Sequence, residues 1–112
     1  ISRPALFAAT AAIQDTKWVN KELKHVRNWS KKFFNVFQSL NIETNFSGTN
    51  FLLINFDKVK ITSKQAFIAL AKKGILLRQM EVYDIKNSLR VTVGNTNENR
   101  KFIIAIKKVL NV

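Results

Sequence analysis

The sequence predicts an α+β fold, a two-layer sandwich in which a mostly antiparallel sheet carries helices on one side. Apolar residues recur at helical spacing in the longer segments and alternate with polar residues in the shorter ones, which indicates amphipathic helices and half-buried strands. The predicted order of elements is α-α-β-β-α-β-β-α. With 112 residues and 46% hydrophobic content, the chain is large enough for one core, so we expect residues 1–112 to form a single domain.

The first two helices are predicted from their capping residues and their apolar patterns. Ser2 and Pro4 are typical of a helix start, and the small, apolar body of this helix extends to Gln14. The pair Asp15-Thr16 can cap a second helix that runs to about Leu40. Its apolar stripe consists of Trp18, Val19, Leu23, Val26, Trp29, Phe33, Phe34, Phe37 and Leu40. We interpret the stripe as helix core rather than as a cofactor site, because polar residues occupy the opposite face.

The middle of the chain predicts a β-hairpin. Apolar and polar residues alternate over Ile42–Phe46, which predicts a strand, and Asn50–Asn55 is predicted to be a second strand. The three residues 47–49, Ser-Gly-Thr, form a tight connection between them. The two strands are therefore expected to be hairpin partners.

Capping signals also bound the third helix. Thr62 or Ser63 caps its start, and Gln65 is placed to complete a capping box with Thr62. Gly74 is typical of the residue that ends a helix in a left-handed conformation. The third helix therefore lies between residues 62 and 74.

The C-terminal third predicts two strands and a last helix. The strands lie near Ile75–Arg78 and Leu89–Val93. Asn95 caps the last helix, with Glu98 three residues further on. The apolar face of this helix consists of Phe102, Ile103, Ile106, Val109 and Leu110.

The composition excludes several kinds of site. The chain has no Cys, which excludes disulfides and thiolate metal sites, and its single His, His25, argues against a zinc site and a His-dependent triad. The acidic residues are dispersed, so their spacing predicts no acid–base pair. No apolar run has the length of a membrane span, and we expect a cytoplasmic protein. The chain begins with Ile1 rather than Met, which we interpret as a segment of a longer protein.

The net charge of +12 raises the alternative of a stand-alone basic nucleic-acid-binding domain. The lysines are scattered in singles and doublets rather than gathered in a block, and no nucleic-acid-binding motif accompanies them. We therefore interpret the charge as solvated surface and expect no nucleic-acid partner. A steep dependence of binding on salt concentration would favour the alternative.

Two arginines stand out as candidate ligand-binding residues. Arg90 lies within an alternating strand, between Leu89 and Val91, where Thr or Tyr is more usual. Because a guanidinium does not lose its charge, a partly buried Arg needs an anionic partner. Arg78 lies at the end of the preceding predicted strand. The pair suits a ligand that carries two separated anionic groups.

Several segments match one known family in order and spacing. They are Ser2-Arg-Pro-Ala, Ala11-Ala-Ile-Gln-Asp15, Thr49-Asn-Phe-Leu-Leu53, Gly74-Ile-Leu-Leu-Arg78, Tyr83 and Asn87-Ser-Leu-Arg90-Val-Thr-Val-Gly94-Asn-Thr-Asn-Glu98-Asn99. Together they resemble the C-terminal part of the histidinol-phosphate aminotransferases, which are fold-type I enzymes that use pyridoxal phosphate. The resemblance extends over nearly the whole chain. It implies the small C-terminal domain of such an enzyme, without the large cofactor-binding domain.

The resemblance also implies roles for both arginines. Arg90 matches the family's arginine that binds a substrate carboxylate, and Arg78 matches the one that helps bind the substrate phosphate. No lysine here matches the motif of the lysine that holds the cofactor. The implied substrates are L-histidinol phosphate and 2-oxoglutarate, the implied enzyme is a homodimer, and the isolated chain is expected to be inactive. A phospho-amino-acid decarboxylase of the same fold is the alternative.

The segment Met80–Lys86 departs from the family, which usually has a small or Gly-containing loop there. Glu81 and Asp84 would lie near a bound phosphate if this loop folded inward. Tyr83 is either a phosphate ligand or proton donor, or an ordinary loop aromatic, and we favour the ordinary loop aromatic.

Overall fold

Residues 1–111, which the computed structural model describes, form a four-stranded antiparallel sheet with three of their four helices packed against it. The helices are α1 (Arg3–Gln14), α2 (Thr16–Ser39), α3 (Ser63–Ala71) and α4 (Thr96–Val109). The strands are β1 (Glu43–Thr44), β2 (Phe51–Asn55), β3 (Arg78–Gln79) and β4 (Ser88–Thr92), and a short 3₁₀ helix covers Glu81–Tyr83. The predicted α+β class and order of elements are confirmed.

The strand order in the sheet is β1-β2-β4-β3, and all neighbours are antiparallel. One face of the sheet, formed by Leu52 and Ile54 of β2 and by Leu89 and Val91 of β4, is buried. It belongs to the same core as residues of three helices: Phe33 and Phe37 of α2, Ala66 and Leu70 of α3, and Phe102 and Ile106 of α4. The opposite face of the sheet carries the alternate residues of each strand.

The predicted helix caps are confirmed. Thr62 and Gln65 form a capping box at the start of α3, and Asn95 and Glu98 form one at the start of α4. Gly74 has φ +78°, and its N–H donates to the Ala71 carbonyl at 2.9 Å. These hydrogen bonds satisfy backbone groups that helix ends leave unpaired.

The predicted strand Ile42–Phe46 is longer than the strand in the structure, and the predicted strand Ile75–Arg78 begins three residues too early. In these two segments, the structure forms strands only over Glu43–Thr44 and Arg78–Gln79. The N–H of Ile42 donates to Phe37 in α2, and the N–H of Ile75 donates to Leu70 in α3. Each isoleucine therefore completes the end of the preceding helix, and its amide is not free to pair with a strand. The pairing of β1 with β2 is confirmed, with Glu43 opposite Asn55, but the connection covers residues 45–50 and is longer than the predicted residues 47–49.

The helix α1 and the first turns of α2 project from the rest of the molecule. Residues 1–20 are all exposed, and the longest dimension is 51 Å. The radius of gyration is 16.5 Å, compared with about 13 Å for a compact chain of roughly 100 residues. The prediction that Trp18, Val19 and Leu23 belong to the helix core is wrong, because these side chains are 60%, 38% and 48% exposed. None of the helices in residues 1–111 is long and apolar enough to cross a membrane.

Candidate anion-binding site

Arg90 lies in the middle of β4 and belongs to the sheet face opposite the core. Its neighbours Leu89 and Val91 are 1% and 2% exposed and are part of the core. Because successive side chains of a strand alternate between faces, Arg90 is directed to the other face, as the sequence predicted. The packing of its neighbours fixes the position from which the guanidinium extends.

The structure brings the two candidate arginines together. Arg78 pairs directly with Arg90 across β3 and β4. Side chains opposite each other in an antiparallel pair lie on the same face, with Cβ atoms about 5 Å apart. Like charges in such positions repel each other, so an anion between or beside them stabilises the pair.

No carboxylate of the protein neutralises this pair within residues 1–111. In this part of the chain, the single ion pair within 4.0 Å joins Lys58 and Glu43 at the surface. Glu81 and Asp84, which would oppose a bound phosphate if they lay close to Arg78, make no ion pair with it. The positive charge of the site is therefore available to a ligand.

Tyr83 contributes to this site, which differs from the interpretation of Tyr83 as an ordinary loop aromatic. The Arg78 Nη2 donates a hydrogen bond of 2.6 Å to the Tyr83 hydroxyl oxygen. The guanidinium carbon also lies 5.6 Å from the centre of the tyrosine ring. The turn at Glu81–Tyr83 thus brings Tyr83 beside Arg78, and the hydroxyl keeps a hydrogen to donate to a ligand.

Phe51 is a site residue that sequence analysis missed. It begins β2, and its ring centre lies 4.9 Å from the guanidinium carbon of Arg90. The Nε of Arg90 is buried and has no hydrogen-bond partner among the described residues. The residue was part of the quoted Thr49–Leu53 motif, but its proximity to Arg90 depends on the register of β2 against β4.

A groove of about 560 Å³ opens beside the arginines. It lies between the segment that leads into β3 and the start of α4, and its walls include Leu77, Thr92 and Lys101 as well as both arginines. The strand β3 pairs with β4 only over Arg78 and Gln79. The chain before β3 therefore diverges from β4 and leaves this space.

The end of β4 is anchored by a group of hydrogen bonds around Gly94. Its carbonyl oxygen accepts from His25 Nε2 and from Asn99 Nδ2, both at 2.9 Å, and its N–H donates to Asn99 Oδ1 at 2.8 Å. Asn99 is 2% exposed, so these hydrogen bonds satisfy a buried amide. They tie β4 to α2 and α4 four residues after Arg90.

The described residues contain no buried amine for covalent attachment of a cofactor. Every lysine side chain of the chain is exposed. Within residues 1–111 there is also no group of three or more His, Asp or Glu side chains that could hold a metal ion. The groups that the site offers to a ligand are the guanidinium groups of Arg78 and Arg90 and the hydroxyl group of Tyr83.

The fold and the site define an α+β domain that carries two neighbouring arginines on one face of its sheet. The family model of aminotransferase class I and II matches residues 1–106. The chain belongs to the aminotransferase class I and II family.

Within this family, the chain is similar to histidinol-phosphate aminotransferases. It is 42% identical over 112 residues to the histidinol-phosphate aminotransferase of Pelagibacter ubique, covering 99% of this chain and 31% of that protein. It is 37% identical over 101 residues to that of Nitrobacter hamburgensis, covering 89% of this chain and 28% of that protein. The chain thus spans about a third of the length of the curated relatives it matches.

Solved structures share the fold. The histidinol-phosphate aminotransferase from Clostridium acetobutylicum superimposes with a TM-score of 0.78 at 22% identity, over 88% of this chain and 30% of that one. The L-threonine-O-3-phosphate decarboxylase from Porphyromonas gingivalis gives a TM-score of 0.59 at 22% identity, over 78% of this chain and 28% of that one. At these identities the similarity concerns the fold alone.

Proposed function

We propose that this chain is the C-terminal small domain of a longer histidinol-phosphate aminotransferase whose large domain lies outside the 112 residues. The relatives support this proposal, since they carry that name and are about three times as long as the chain. The observation that carries the proposal is the pairing of Arg78 with Arg90 on the open face of the sheet. On this face Arg78 is exposed and Arg90 is partly exposed, as expected if the rest of the enzyme completes the active site there.

In this proposal the complete enzyme transfers an amino group between L-histidinol phosphate and 2-oxoglutarate in histidine biosynthesis. The first substrate carries a phosphate and no carboxylate, whereas the second carries two carboxylates. Two adjacent arginines suit a site that binds these two substrates in turn, because each substrate presents an anionic group to the same face of the sheet. We also propose that the enzyme is a cytoplasmic homodimer, in keeping with the biosynthetic role of its relatives.

Arg90 is the proposed ligand of the carboxylate. A carboxylate and a guanidinium form two parallel hydrogen bonds in one plane, which an ammonium does not reproduce. The side chain extends from the centre of a strand whose other face is packed in the core. Its direction is therefore set before the substrate arrives, which lowers the entropy lost on binding.

Arg78 and Tyr83 are the proposed ligands of the phosphate. Their hydrogen bond of 2.6 Å holds the tyrosine hydroxyl beside the guanidinium, so both groups can donate to phosphate oxygens. The strand that carries Arg78 is two residues long and lies at the edge of the sheet. The backbone that carries Arg78 is therefore less constrained than the central strand that carries Arg90.

Pyridoxal phosphate, when bound, would carry the amino group between the two substrates. We propose that the large domain binds it, because the lysines of this chain are all exposed and none matches the motif of the lysine that holds the cofactor. The contribution of this chain is to bind and orient the anionic groups of the substrates. The anchored Gly94 keeps the strand of Arg90 in place during this step.

Substitution of each arginine in the complete enzyme tests these roles. We expect Arg90→Ala to lower kcat/KM for 2-oxoglutarate about 30- to 1000-fold, because it removes a bidentate, charge-assisted contact of roughly 2–4 kcal/mol. Arg78→Ala should lower kcat/KM for histidinol phosphate by a similar factor while leaving 2-oxoglutarate and unphosphorylated histidinol nearly unchanged. Steady-state kinetics with the three substrates measures both effects.

Arg90→Lys is the control for charge alone, and it should recover little of the lost activity. Equal losses for Arg78→Ala and Arg90→Ala on all three substrates would refute the division of roles. Analysis of the products distinguishes the proposed aminotransferase from the alternative, a phospho-amino-acid decarboxylase, since the decarboxylase releases carbon dioxide and does not consume 2-oxoglutarate. Activity of Arg90→Ala close to that of the unmodified enzyme would remove the main support for the proposal.

A further inference from the structure

The two arginines each contact a different aromatic ring. Arg78 lies against Tyr83, with 5.6 Å between the guanidinium carbon and the ring centre, and Arg90 lies against Phe51 at 4.9 Å. Arg78 and Arg90 are direct cross-strand neighbours of like charge. Each guanidinium group therefore lies against its own ring, and no carboxylate of residues 1–111 forms an ion pair with either of them.

The ring of Phe51 is not part of the hydrophobic core. It is half-buried on the open face of the sheet, whereas the next residue, Leu52, is 1% exposed and belongs to the core. Phe51 lies opposite Thr92, and Arg90 lies opposite Leu53, so the phenyl ring and the guanidinium meet on a diagonal of the sheet. Core packing therefore does not account for an aromatic residue at this position.

The environment of the Arg90 Nε indicates the role of the Phe51 ring. This nitrogen is buried and has no hydrogen-bond partner in the described part of the chain. A buried, unpaired donor on a charged group is costly, and the negative face of an aromatic ring offsets part of that cost. With Nε enclosed, the terminal nitrogens are the part of the guanidinium that remains for a ligand.

We propose that Phe51 is the positioning residue for Arg90, and that it directs the terminal nitrogens of the guanidinium towards the substrate carboxylate. This inference deepens the proposed function and rests on it, since it presupposes that Arg90 binds a carboxylate. Phe51 makes no contact with substrate in this arrangement and acts through Arg90. Tyr83 holds the other arginine, so Phe51 affects carboxylate binding and not phosphate binding.

Binding of glutarate, an unreactive dicarboxylate, to the complete enzyme loaded with pyridoxal phosphate tests the inference without relying on catalysis. We expect Phe51→Leu to raise the Kd for glutarate about three- to tenfold, because leucine is apolar but has no aromatic face. Phe51→Tyr keeps the ring and should stay within about twofold of the unmodified enzyme. The Kd for inorganic phosphate should be the same in all three proteins. Isothermal titration calorimetry measures each Kd, and thermal unfolding shows that each variant is folded.

A double-substitution cycle separates positioning from a general structural effect. In the Arg90→Lys background, Phe51→Leu should have no further effect on glutarate binding, because the planar group that the ring orients is gone. Phe51→Met serves as a second aliphatic variant if Phe51→Leu does not fold.

Each outcome bears on the inference. Equal glutarate binding by Phe51→Leu and the unmodified enzyme overturns it, as does a loss that persists in the Arg90→Lys background or extends to phosphate. If the inference about Phe51 fails in this way, the proposed function still stands as long as Arg90→Lys binds glutarate more weakly than the unmodified enzyme does. If the unmodified enzyme does not bind glutarate at all, the carboxylate role of Arg90 fails, and this inference fails with it.

Discussion

Gly94 lies where β4 ends, and the structure leaves little room for a side chain there. A Cβ at this position would overlap with Oε2 of Glu98 and would lie 3.2 Å from the Glu98 Cβ. The same carboxylate oxygen accepts a hydrogen bond of 2.9 Å from the N–H of Asn95 and completes the capping box of α4. The residue type at 94 and the cap of the next helix are therefore coupled.

This coupling predicts the effect of Gly94→Ala on stability. The added methyl group displaces the Glu98 side chain and breaks the capping-box hydrogen bond, so the free energy of unfolding should fall by about 1 kcal/mol. In the Glu98→Ala background the overlap with Oε2 is gone and only the 3.2 Å contact with the Cβ of residue 98 remains, so Gly94→Ala should cause a smaller further loss. Urea denaturation of the four proteins measures the coupling, and an equal loss in both backgrounds would contradict it.

At the scale of elements, three of the four helices of residues 1–111 end in the same way. A left-handed residue follows two or three positions after the last helical residue: Asn41 after α2 (φ 57°), Gly74 after α3 (φ 78°) and Asn111 after α4 (φ 58°). Asp84 has the same conformation after the 3₁₀ helix (φ 57°). Gly and Asn tolerate this conformation better than other residues, and it lets the chain turn sharply from a helix into the sheet.

Gly74 offers a test of this helix end, because nothing lies within 4 Å of a Cβ built on it. Any cost of a substitution there comes from the backbone and not from a clash. We expect Gly74→Ala to lower the free energy of unfolding by about 1 kcal/mol, and Gly74→Asn to cost less. Chemical denaturation compares the two variants, and equal stabilities of the alanine and asparagine proteins would argue against the backbone explanation.

At the scale of the whole molecule, the projecting α1 helix is the most unusual feature. Its side chains are all exposed, including Leu6 (57%), Phe7 (74%) and Ile13 (78%). Large apolar groups in one exposed region mark a surface that another protein part covers. The relatives are about three times as long as this chain, and their remaining length offers such a part.

We predict that the isolated chain self-associates through this surface, because nothing else in residues 1–111 buries it. Sedimentation velocity over a range of concentrations should show species larger than a monomer. Replacement of Leu6, Phe7 and Ile13 by serine should shift the distribution to monomer. A monomer at every accessible concentration of the unmodified chain would count strongly against the prediction.

We also predict that the isolated chain forms no specific covalent adduct with pyridoxal phosphate. Its lysines are all exposed and equivalent to those of any basic surface. Mixing the two should give no absorbance band beyond that of a basic control protein with the same lysine content. A stoichiometric adduct that survives dialysis and maps to one lysine would show that this chain holds a cofactor site.

The sequence by itself determined the local structure of this protein. The cap at Asn95 and the left-handed Gly74 were predicted at the residues where they occur, and the caps at Asp15 and Thr62 are each one of two neighbouring residues that were predicted. These features depend on hydrogen bonds between residues at most five positions apart, so the chain carries their signal locally. The alternation around Arg90 likewise predicted the sheet face to which it belongs.

Tertiary structure alone decided which side chains meet. The predicted strands at residues 42 and 75 began too early, because the ends of α2 and α3 used the amides of Ile42 and Ile75. The pairing of Arg78 with Arg90 and the contact of Arg90 with Phe51 depend on strand register. Register is set by packing between elements that are distant in sequence, and a two-residue strand such as β3 has no pattern of its own from which to predict it.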